Sequence, residues 1–374
     1  KKITLLRRAV DARKKQDIHY TVTAAAEVEN EEKYLRRKNP AVSKHVPYVE
    51  RSYAKAVLPY RPVVIGSGPA GLFAALTLAK AGAEPILLER GMDVEARTKA
   101  VKSFWQGGRL DPSCNVQFGE GGAGTFSDGK LTTGTKDVRI AAVFNEFVKY
   151  GAPREILYNA KPHIGTDKLA VVVKNIREQI KSLGGTVLFG ATVTDLLVSG
   201  GKVSGVVYKK DGEEKEITTD RVVMAIGHSA RDTFEMLNNK SVVMSQKSFA
   251  VGVRIEHLQS RLNASMYGKT AEKLPPADYK LFVHLPNGRT LYTFCMCPGG
   301  QVVAAASEEN TVVTNGMSLF ARDGRNANSA LLVNVTPDDF GSDHVLAGVE
   351  FQRKIEQAAF AAGGKSYAAP VSLA

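Results

Sequence analysis

The sequence predicts an α/β protein in which a Rossmann-like domain with a β-meander is followed by a second, β-rich domain of the α+β type. Residues 62–89 show an apolar strand, a glycine-rich turn, a helix and a second strand, which is the order of a βαβ unit. Residues 186–226 show short strands joined by Gly-Gly and Asp-Gly turns, which indicates an antiparallel meander. Four further strand-like runs lie between residues 247 and 313. We therefore expect three regions, which span residues 1–58, 59–235 and 236–374.

Helices are predicted where apolar residues recur at helical spacing. They span residues 93–110, 137–150, 167–184 and 346–361. A long loop rich in Gly, Ser, Thr and Asp is expected over residues 112–136. Because a loop of that length inside a domain is usually functional, it is a candidate part of a binding site.

The N-terminal region carries most of the excess positive charge. Residues 1–61 contain 15 Lys+Arg against 7 Asp+Glu, which is +8 of the chain's +12. Five apolar residues share one helical stripe, namely Leu5, Leu6, Ala9, Val10 and Ala12. We predict a helix there, a strand over Ile18–Ala24 and a linker or surface arm over 28–59. A basic block can attract RNA or another anionic partner, but this pattern is more typical of a solvated helical surface.

Composition limits the class of protein. A chain of 374 residues with 44% apolar residues fits a globular protein of two or three domains. There is no long apolar run, so no membrane partner is expected. No signal-peptide pattern follows Lys1, which we take as the edge of a fragment or of the ordered chain. The three cysteines are an odd and low count, which favours a reducing compartment and a cytoplasmic location.

The most specific motif is the run Gly66-Ser67-Gly68-Pro69-Ala70-Gly71, which fits G-x-G-x-x-G between a strand and a helix. In this motif the first glycine makes the tight turn, the second lets the backbone approach a diphosphate, and the third lets the helix pack on the strand. The helix N-terminus offers free N–H groups to the phosphates. Glu89 ends the second strand, where a carboxylate can accept hydrogen bonds from a ribose, and Arg90 follows it. The sequence therefore predicts an adenine dinucleotide without a 2′-phosphate.

A second glycine-rich run, Gly119–Gly124, also fits G-x-G-x-x-G, but a short polar segment precedes it and no amphipathic helix follows. We therefore reject it as a second dinucleotide motif. Glycines here suggest a backbone that comes close to a flat ring, with Gly121 and Gly122 as contacts. Ser127, Asp128 and Lys130 could supply donors and a positive charge beside a flavin. A flexible surface loop is the alternative.

The order of elements from residue 186 onward resembles that of the two-dinucleotide-binding-fold flavoproteins of the glutathione-reductase type. The resemblance covers residues 60–235, and its most specific parts are the glycine turn, Glu89 and Ala225-Ile226-Gly227. In those proteins the chain returns from the meander to the parallel sheet at a turn of this kind. A strand residue near Val193 contacts the adenine through its backbone there. The resemblance implies FAD, whereas the βαβ unit alone leaves NAD open.

Four segments also resemble a family of uncharacterised bacterial proteins described as FAD-dependent or NAD(FAD)-utilising dehydrogenases. They are FGEGGAGTFSDGKL, PHIGTDKL, FCMCPGG with NGMS, and RNANSALLV. This resemblance covers most of the chain and implies that residues 1–58 are the end of a small α+β domain. Members of that family continue past the equivalent of Ala374 and return through another glycine-rich segment that contacts the flavin. Gly363-Gly364 lacks the acid and the helix of such a segment, so the second domain is expected to be incomplete.

Three residues are the catalytic candidates. His228 follows the Ala225–Gly227 turn and has a side chain that titrates near neutrality, although a loop histidine is the commoner outcome. Cys295 and Cys297 could form a redox pair, because residues i and i+2 of a strand share a face. Two buried apolar thiols are the commoner arrangement at this spacing. No second Cys/His pair stands at zinc spacing, so no metal is predicted.

We therefore expect an FAD-dependent oxidoreductase that transfers a hydride between a small substrate and the flavin. NAD(P)H could serve as a transient electron donor at a site that the sequence does not reveal. Two alternatives remain open at this point. One is an NAD-dependent dehydrogenase that uses the same βαβ unit, and the other is a tRNA-associated flavoprotein that uses the basic arm.

Overall fold

The N-terminal residues form a β-hairpin, so the prediction of a helix there was wrong. The computed structural model describes residues 2–37, 39–368 and 371. The predicted regions 1–58 and 236–374 also include residues that lie outside these ranges. Strand β1 (Ile3–Asp11) pairs antiparallel with β2 (His19–Ala26), and a short helix α1 (Glu31–Leu35) follows. A bulge between Leu5 and Arg7 interrupts the alternation of apolar residues, and the remaining pattern imitates a helical stripe. The strand predicted over Ile18–Ala24 is confirmed.

A parallel sheet lies at the centre of the next domain. Its strands are β3 (Val63–Ile65), β4 (Ile86–Leu88), β5 (Thr186–Leu188) and β9 (Val222–Met224), in the order β5-β4-β3-β9. The helices of this part are α2 (Pro69–Lys80), α3 (Val94–Trp105), α4 (Arg139–Lys149) and α5 (Thr166–Ser182). Val64 and Leu87 pack into a core with α2 and α5, whereas Val63, Ile65 and Leu88 face the other side. Both faces of the sheet are therefore buried, which explains why its strands are continuous apolar runs.

The predicted meander covers the second face of this sheet. It consists of β6 (Thr192–Ser199), β7 (Lys202–Lys210) and β8 (Glu213–Thr218) in antiparallel pairing. Asp211 and Gly212 join β7 to β8 with φ angles of 54° and 83°. Positive φ at both positions is typical of the tight hairpin turn that Asp-Gly favours. Val193 and Val206 of this meander pack against the sheet through a shared apolar core.

The β-rich domain follows helix α6 (Arg231–Asn239). Its elements are β10 (Phe249–Leu258), α7 (Gln259–Tyr267), β11 (Phe282–His284), β12 (Thr290–Cys297), β13 (Gly300–Ala305), β14 (Val313–Ser318), β15 (Asn326–Val335) and α8 (Ala347–Ala362). The larger sheet has the order β10-β15-β12-β11, and β13 pairs with β14. The four predicted strand runs are confirmed, but β14 and β15 were missed. β15 contains Asn and Ser, and its pairing on both edges compensates for its low β-propensity.

No helix in the described part of the chain is both long enough and apolar enough to cross a membrane. The N-terminal hairpin has exposed basic side chains, including Arg7 and Arg13. An RNA or other anionic partner for this surface remains a prediction.

A set of ion pairs joins the two larger domains. Arg231 at the start of α6 lies 2.6 Å from Glu308, in the turn after β13, and 2.6 Å from Glu356 on α8. The Arg231 side chain is only 6% exposed, so its charge depends on these two carboxylates. The indole of Trp105 on α3 also donates a hydrogen bond to the carbonyl of Ala304 across the same boundary, at 2.8 Å. These contacts fix the second domain beside the parallel sheet.

Replacing Arg231 by Met should destabilise the protein, because two carboxylates would lose their buried partner. We expect the free energy of unfolding to fall by about 2–4 kcal/mol in a denaturant titration. The matched control is Arg36→Met, which removes an ion pair with Glu32 in which both side chains are largely exposed. That control should change the free energy by less than about 0.5 kcal/mol. If Arg231→Met lowers the free energy of unfolding no more than this control does, the boundary ion pairs add no stability.

Candidate functional site

A cavity of about 360 Å³ opens at the carboxyl ends of β3, β4 and β9. Ligands of open parallel sheets bind at this edge, and the volume lies in the usual range for small-molecule sites. The predicted cofactor residues that line it are Gly66, Gly68, Pro69, Ala70, Glu89, Arg90, Gly122, Val193, Ala225 and Gly227. The other predicted residues, which are not part of its lining, are Ser67, Gly71, Gly121, Ser127 and Lys130. The fold thus brings together two glycine runs, two strand ends and one meander strand.

Two glycines of the first turn are required by packing within the protein. Gly66 has φ +96°, and a Cβ there would lie 2.4 Å from the carbonyl oxygen of Ala225. A Cβ on Gly71 would lie 1.8 Å from the carbonyl oxygen of Gly66. Both distances are far below any van der Waals contact, so the turn between β3 and α2 closes only with glycine at these positions.

Gly68 differs from these two glycines, because the protein itself leaves room for a side chain there. Its φ of −65° suits any residue, and a Cβ would meet no atom closer than Gly122 Cα at 3.9 Å. Gly68 lines the cavity and precedes the first turn of α2, which has no side-chain cap and no acidic residue. The N–H groups and the positive end of this helix therefore favour an anion in the cavity. These features fit a diphosphate that lies against the backbone of Gly68.

Glu89 connects the glycine turn to the second glycine run. Its Oε2 accepts hydrogen bonds from the N–H and the hydroxyl of Ser67, both at 2.7 Å. Its Oε1 accepts from the N–H groups of Gly91 and Gly119 at 2.9 and 3.0 Å. The residue is only 5% exposed, yet it lines the cavity. Glu89 therefore orders the walls of the site, a role that the sequence prediction of a ribose contact did not include.

The loop over residues 119–126 lies on the turn formed by Gly66–Gly71. The N–H of Gly121 donates a hydrogen bond to the carbonyl of Ser67 at 2.9 Å, and a Cβ on Gly122 would lie 3.0 Å from Gly68 Cα. Residues Gly122–Phe126 form a 3₁₀ turn, so this loop is ordered and the alternative of a flexible surface loop was wrong. The glycines of this loop allow its backbone to approach the backbone of the Gly66–Gly71 turn. The contact lies beside the cavity in which a flat ring was expected.

Arg97 holds this loop in place, a role that was not predicted from the sequence. Its side chain is fully buried, and its three nitrogens donate to the carbonyl oxygens of five residues, namely Asn115, Val116, Gly119, Glu120 and Gly122. Burial lowers the pKa of Arg97 to about 10, and the guanidinium stays charged at neutral pH. Arg97 lies on the buried stripe of α3 with Val94, Val101 and Phe104. An arginine within an otherwise apolar helical stripe is the sequence signal that could have predicted a buried cation with hydrogen-bond acceptors around it.

Glu120 supplies a second buried ionisable group beside the loop. Its Oε2 accepts hydrogen bonds from the N–H of Val94 and from Arg177 on α5, each at 2.8 Å. Burial raises the pKa of Glu120 to about 7, although these two donors oppose the shift. The Arg177 side chain is 10% exposed and also reaches Glu95. This pair connects α3, α5 and the loop behind the cavity.

Ser127 and Lys130 lie away from the cavity. The Ser127 hydroxyl donates to the carbonyl of Gly124 and accepts from the N–H of Gly129. Lys130 forms an ion pair with Asp128 at 3.0 Å, and Asp128 also contacts Arg322 and the hydroxyl of Ser318 in the second domain. Burial alone would raise the pKa of Asp128, but the Arg322 charge and the other donors lower it to about 2. Their proposed contacts with flavin remain predictions.

The turn after β9 forms the opposite wall. The N–H of Ala225 donates to the carbonyl of Ile65 at 2.8 Å, and Gly227 has φ +72°. Arg90 contributes its guanidinium, which lies 4.4 Å from the centre of the Phe118 ring and 2.9 Å from Asp232. Phe118 lines the cavity as well. A ligand in the cavity would therefore meet backbone groups on one side and a cation stacked on an aromatic ring on the other.

His228 lines the same cavity and is exposed to solvent there. Its Nδ1 lies 3.0 Å from the hydroxyl of Ser229. Partial desolvation, followed by the nearby charge of Arg231, lowers the pKa of His228. A neutral imidazole at the cavity edge can accept a proton at neutral pH.

Cys295 and Cys297 lie at the end of β12, outside the cavity lining. All three cysteines are free thiols. Among the residues that the structure describes, no three His, Cys, Asp or Glu side chains are grouped to hold a metal ion.

Comparison with known proteins gives two family matches. Residues 60–257 match the family described as pyridine nucleotide-disulphide oxidoreductase. Residues 248–374 match the family described as FAD-dependent protein, C-terminal domain-like. An uncharacterised protein of Clostridium beijerinckii is 49% identical over 381 residues, which cover 100% of this chain and 70% of that protein.

Solved structures give weaker similarity. The glycerol-3-phosphate dehydrogenase from Bacillus halodurans, complexed with FAD, has a TM-score of 0.35 and 14% identity. That match covers 80% of this chain and 54% of the dehydrogenase. The flavin-dependent brominase Bmp2 has a TM-score of 0.36 and 16% identity, and the match covers 81% of this chain and 64% of the brominase. The chain thus spans less than two thirds of these two proteins, and similarity at this level carries no functional argument.

The family matches agree with the cavity, the glycine turn and the β-rich second domain. The second of them also identifies FAD as the cofactor. Since the first match covers more than half of the chain, the protein belongs to the pyridine nucleotide-disulphide oxidoreductase family and is an FAD-dependent oxidoreductase.

Proposed function

We propose that the cavity holds FAD with its diphosphate at the N-terminus of α2, and that the enzyme transfers a hydride between a small substrate and the flavin. The observation that carries the first part is Gly68. The fold needs no glycine at this position, since a Cβ would meet nothing closer than 3.9 Å, but a diphosphate lying on the backbone would exclude a side chain. The uncapped first turn of α2 supplies the N–H groups for such an anion.

The remaining binding groups follow from the cavity walls. Glu89 is proposed to meet the adenosine ribose at the end of β4, and Val193 is proposed to contact the adenine. Each Glu89 oxygen already accepts two hydrogen bonds, so a ribose hydroxyl would share an oxygen that the loop amides hold in place. The Glu89 carboxylate would thus be oriented before the ribose binds, which reduces the entropic cost of binding.

When bound, FAD supplies the group that accepts or donates the hydride. The protein's contribution is to position the cofactor and the substrate and to keep water away from the reacting atoms. His228 is proposed to hold or release the accompanying proton at the cavity edge. NAD(P)H is proposed as a transient electron donor, which agrees with the name of the matched pyridine nucleotide-disulphide oxidoreductase family. The glutathione-reductase type, the small substrate and a cytoplasmic location also remain proposals.

Replacing Gly68 by Ala should weaken FAD binding without destabilising the fold. The added methyl group contacts no protein atom closely but occupies the surface on which the diphosphate is proposed to lie. We expect the Kd for FAD to rise at least about tenfold, which corresponds to about 1.4 kcal/mol. Flavin absorbance per polypeptide and FAD titration would measure the change.

The control for this experiment is Gly134→Ala, because a Cβ there meets nothing within 4 Å and the residue lies outside the cavity. It should retain the wild-type Kd. An unchanged Kd in Gly68→Ala, with both variants folded, would contradict the proposed diphosphate position.

The Glu89 assignment can be separated from its structural role by a thermodynamic cycle. Glu89→Ala should weaken ADP binding, but part of that loss comes from the loop amides that Glu89 orders. Calorimetry should therefore compare ADP with 2′-deoxy-ADP in both proteins. In the wild type we expect the missing hydroxyl to cost about 1–2 kcal/mol, since one charge-assisted hydrogen bond is lost. In Glu89→Ala the two ligands should bind equally well, whereas a persisting difference would place the ribose elsewhere.

His228 should be neutral at pH 7. Desolvation and the charge of Arg231 lower its pKa, so the imidazolium should form at a lower pH than that of an ordinary histidine. The pKa should rise in Arg231→Met, because a repelling charge is removed. NMR titration of the imidazole would measure both values in folded protein. A wild-type His228 that is charged at pH 7 would rule it out as a proton acceptor.

A further inference from the structure

The bend in β12 places two cysteines in unusual backbone geometry. Strand β12 gains one residue relative to β15 between Phe294 and Cys297, which is a β-bulge. Cys295 within this bulge has φ +46°, a left-handed conformation that non-glycine residues rarely adopt. Backbone strain of this kind tends to occur at functional positions.

The surroundings of the two thiols are polar and cationic. The Cys297 thiol donates to the carbonyl of Cys295 at 3.2 Å, and Lys130 Nζ lies 3.9 Å from Cys297 Sγ. Arg254 donates from Nη2 to the same Cys295 carbonyl at 3.0 Å. Its Nε and Nη1 are buried without a hydrogen-bond partner in the described structure, as are both amide atoms of the fully buried Asn328. Asn328 is the residue opposite Cys297 in the strand register. Arg254 Nε and Nη1 and Asn328 Nδ2 are thus unsatisfied donors on residues that neighbour the two cysteines, which favours a negative charge or a polar oxygen at this place.

The two sulfurs differ in exposure and in charge. Cys295 is partly exposed, whereas Cys297 is fully buried. The neighbouring Cys297 thiol, followed by the charges of Lys130 and Arg254, lowers the pKa of Cys295, and the same coupling together with burial raises the pKa of Cys297. The negative charge of Asp128 opposes the lowering of the Cys295 pKa, but Asp128 also forms ion pairs with Arg322 and Lys130. An accessible thiolate beside a buried thiol is the arrangement of an oxidation-sensitive pair.

We propose that Cys295 is a site of oxidation by hydroperoxides and that Cys297 resolves the product to a Cys295–Cys297 disulfide. In the first step the Cys295 thiolate attacks the peroxide O–O bond. A sulfur–oxygen bond forms, the peroxide is reduced, and the leaving oxygen departs as an alcohol or water after taking up a proton. In the second step Cys297 loses its proton, attacks Cys295 Sγ and displaces hydroxide, which leaves as water. One peroxide is thus reduced by two electrons, and two thiols are oxidised to one disulfide.

A disulfide between these two cysteines would be strained and therefore labile. Even in a regular strand the Cα atoms of residues i and i+2 lie about 6.6 Å apart, close to the upper limit for a disulfide, and the bulge with its left-handed Cys295 departs from that geometry. A strained disulfide is easily reduced, which suits a reversible modification better than a structural bond. The step requires no flavin, so its failure and the failure of the FAD proposal are distinguishable.

The experiment treats the full chain with hydrogen peroxide, alkylates the remaining thiols after denaturation, and follows each cysteine by peptide mass spectrometry. In folded protein we expect the Cys295–Cys297 peptide to lose two hydrogens and to resist alkylation. This should occur at least about tenfold faster than oxidation of Cys114 and faster than in the same chain unfolded in urea. Oxidation at the rate of the unfolded chain would overturn the proposal, because the fold would then provide no activation.

Variants assign the two roles. Cys297→Ser should accumulate a sulfenic acid on Cys295 that dimedone labels, and Cys295→Ser should leave Cys297 as unreactive as Cys114. Lys130→Met should slow disulfide formation severalfold, whereas Lys136→Met, an exposed lysine of the same loop, should not. Dimedone labelling of Cys297 in Cys295→Ser at the rate of the wild-type reaction would reverse the assignment and contradict the proposal.

Discussion

The buried guanidinium of Arg97 is the interaction on which the cavity beside the parallel sheet depends. Removing a charge from water costs several kcal/mol unless other groups replace the water. Here the replacement consists of five backbone carbonyls of the loop 115–122 and the face of the Phe126 ring, 4.9 Å away. Because the loop satisfies the cation and the cation satisfies the loop, neither can move without leaving the other unpaired. A long glycine-rich segment thereby becomes a rigid wall.

This wall then determines where small residues are required. A Cβ on Gly119 would lie 2.4 Å from the Arg97 side chain, and a Cβ on Gly91 would lie 2.5 Å from Gly119 Cα. Glu89 lies at the same point and accepts hydrogen bonds from both of these glycines. The carboxylate and the guanidinium do not pair with each other directly. Each binds backbone groups of the loop, and the opposite charges lower the cost of burying both.

Local patterns predicted the parts of this site that lie close together in sequence. The turn from β3 to α2, the acid at the end of β4 and the meander could all be recognised from short runs of residues. The role of Arg97 could not, because its five acceptors come from a loop with no regular structure and α3 gives no sign of which carbonyls it meets. Strand β1 was mistaken for a helix because a bulge at Leu6 changed its apolar spacing. The bulge that bends β12 at Cys295 depends on register with β15, which is set by long-range pairing.

The loop also connects the two domains. Its first part is held by Arg97 within the nucleotide-binding domain, whereas Asp128 near its end pairs with Arg322 and Ser318 of the β-rich domain. Lys130 extends this second anchor to Cys297. A shift of one domain relative to the other can therefore reach the Gly66–Gly71 turn through residues 119–130. Because Gly122 packs directly on Gly68, such a shift would alter the surface proposed for the diphosphate. Arg97 and Asp128, the buried charges at the two ends of the loop, thus make the shape of the cavity depend on the relative position of the two domains.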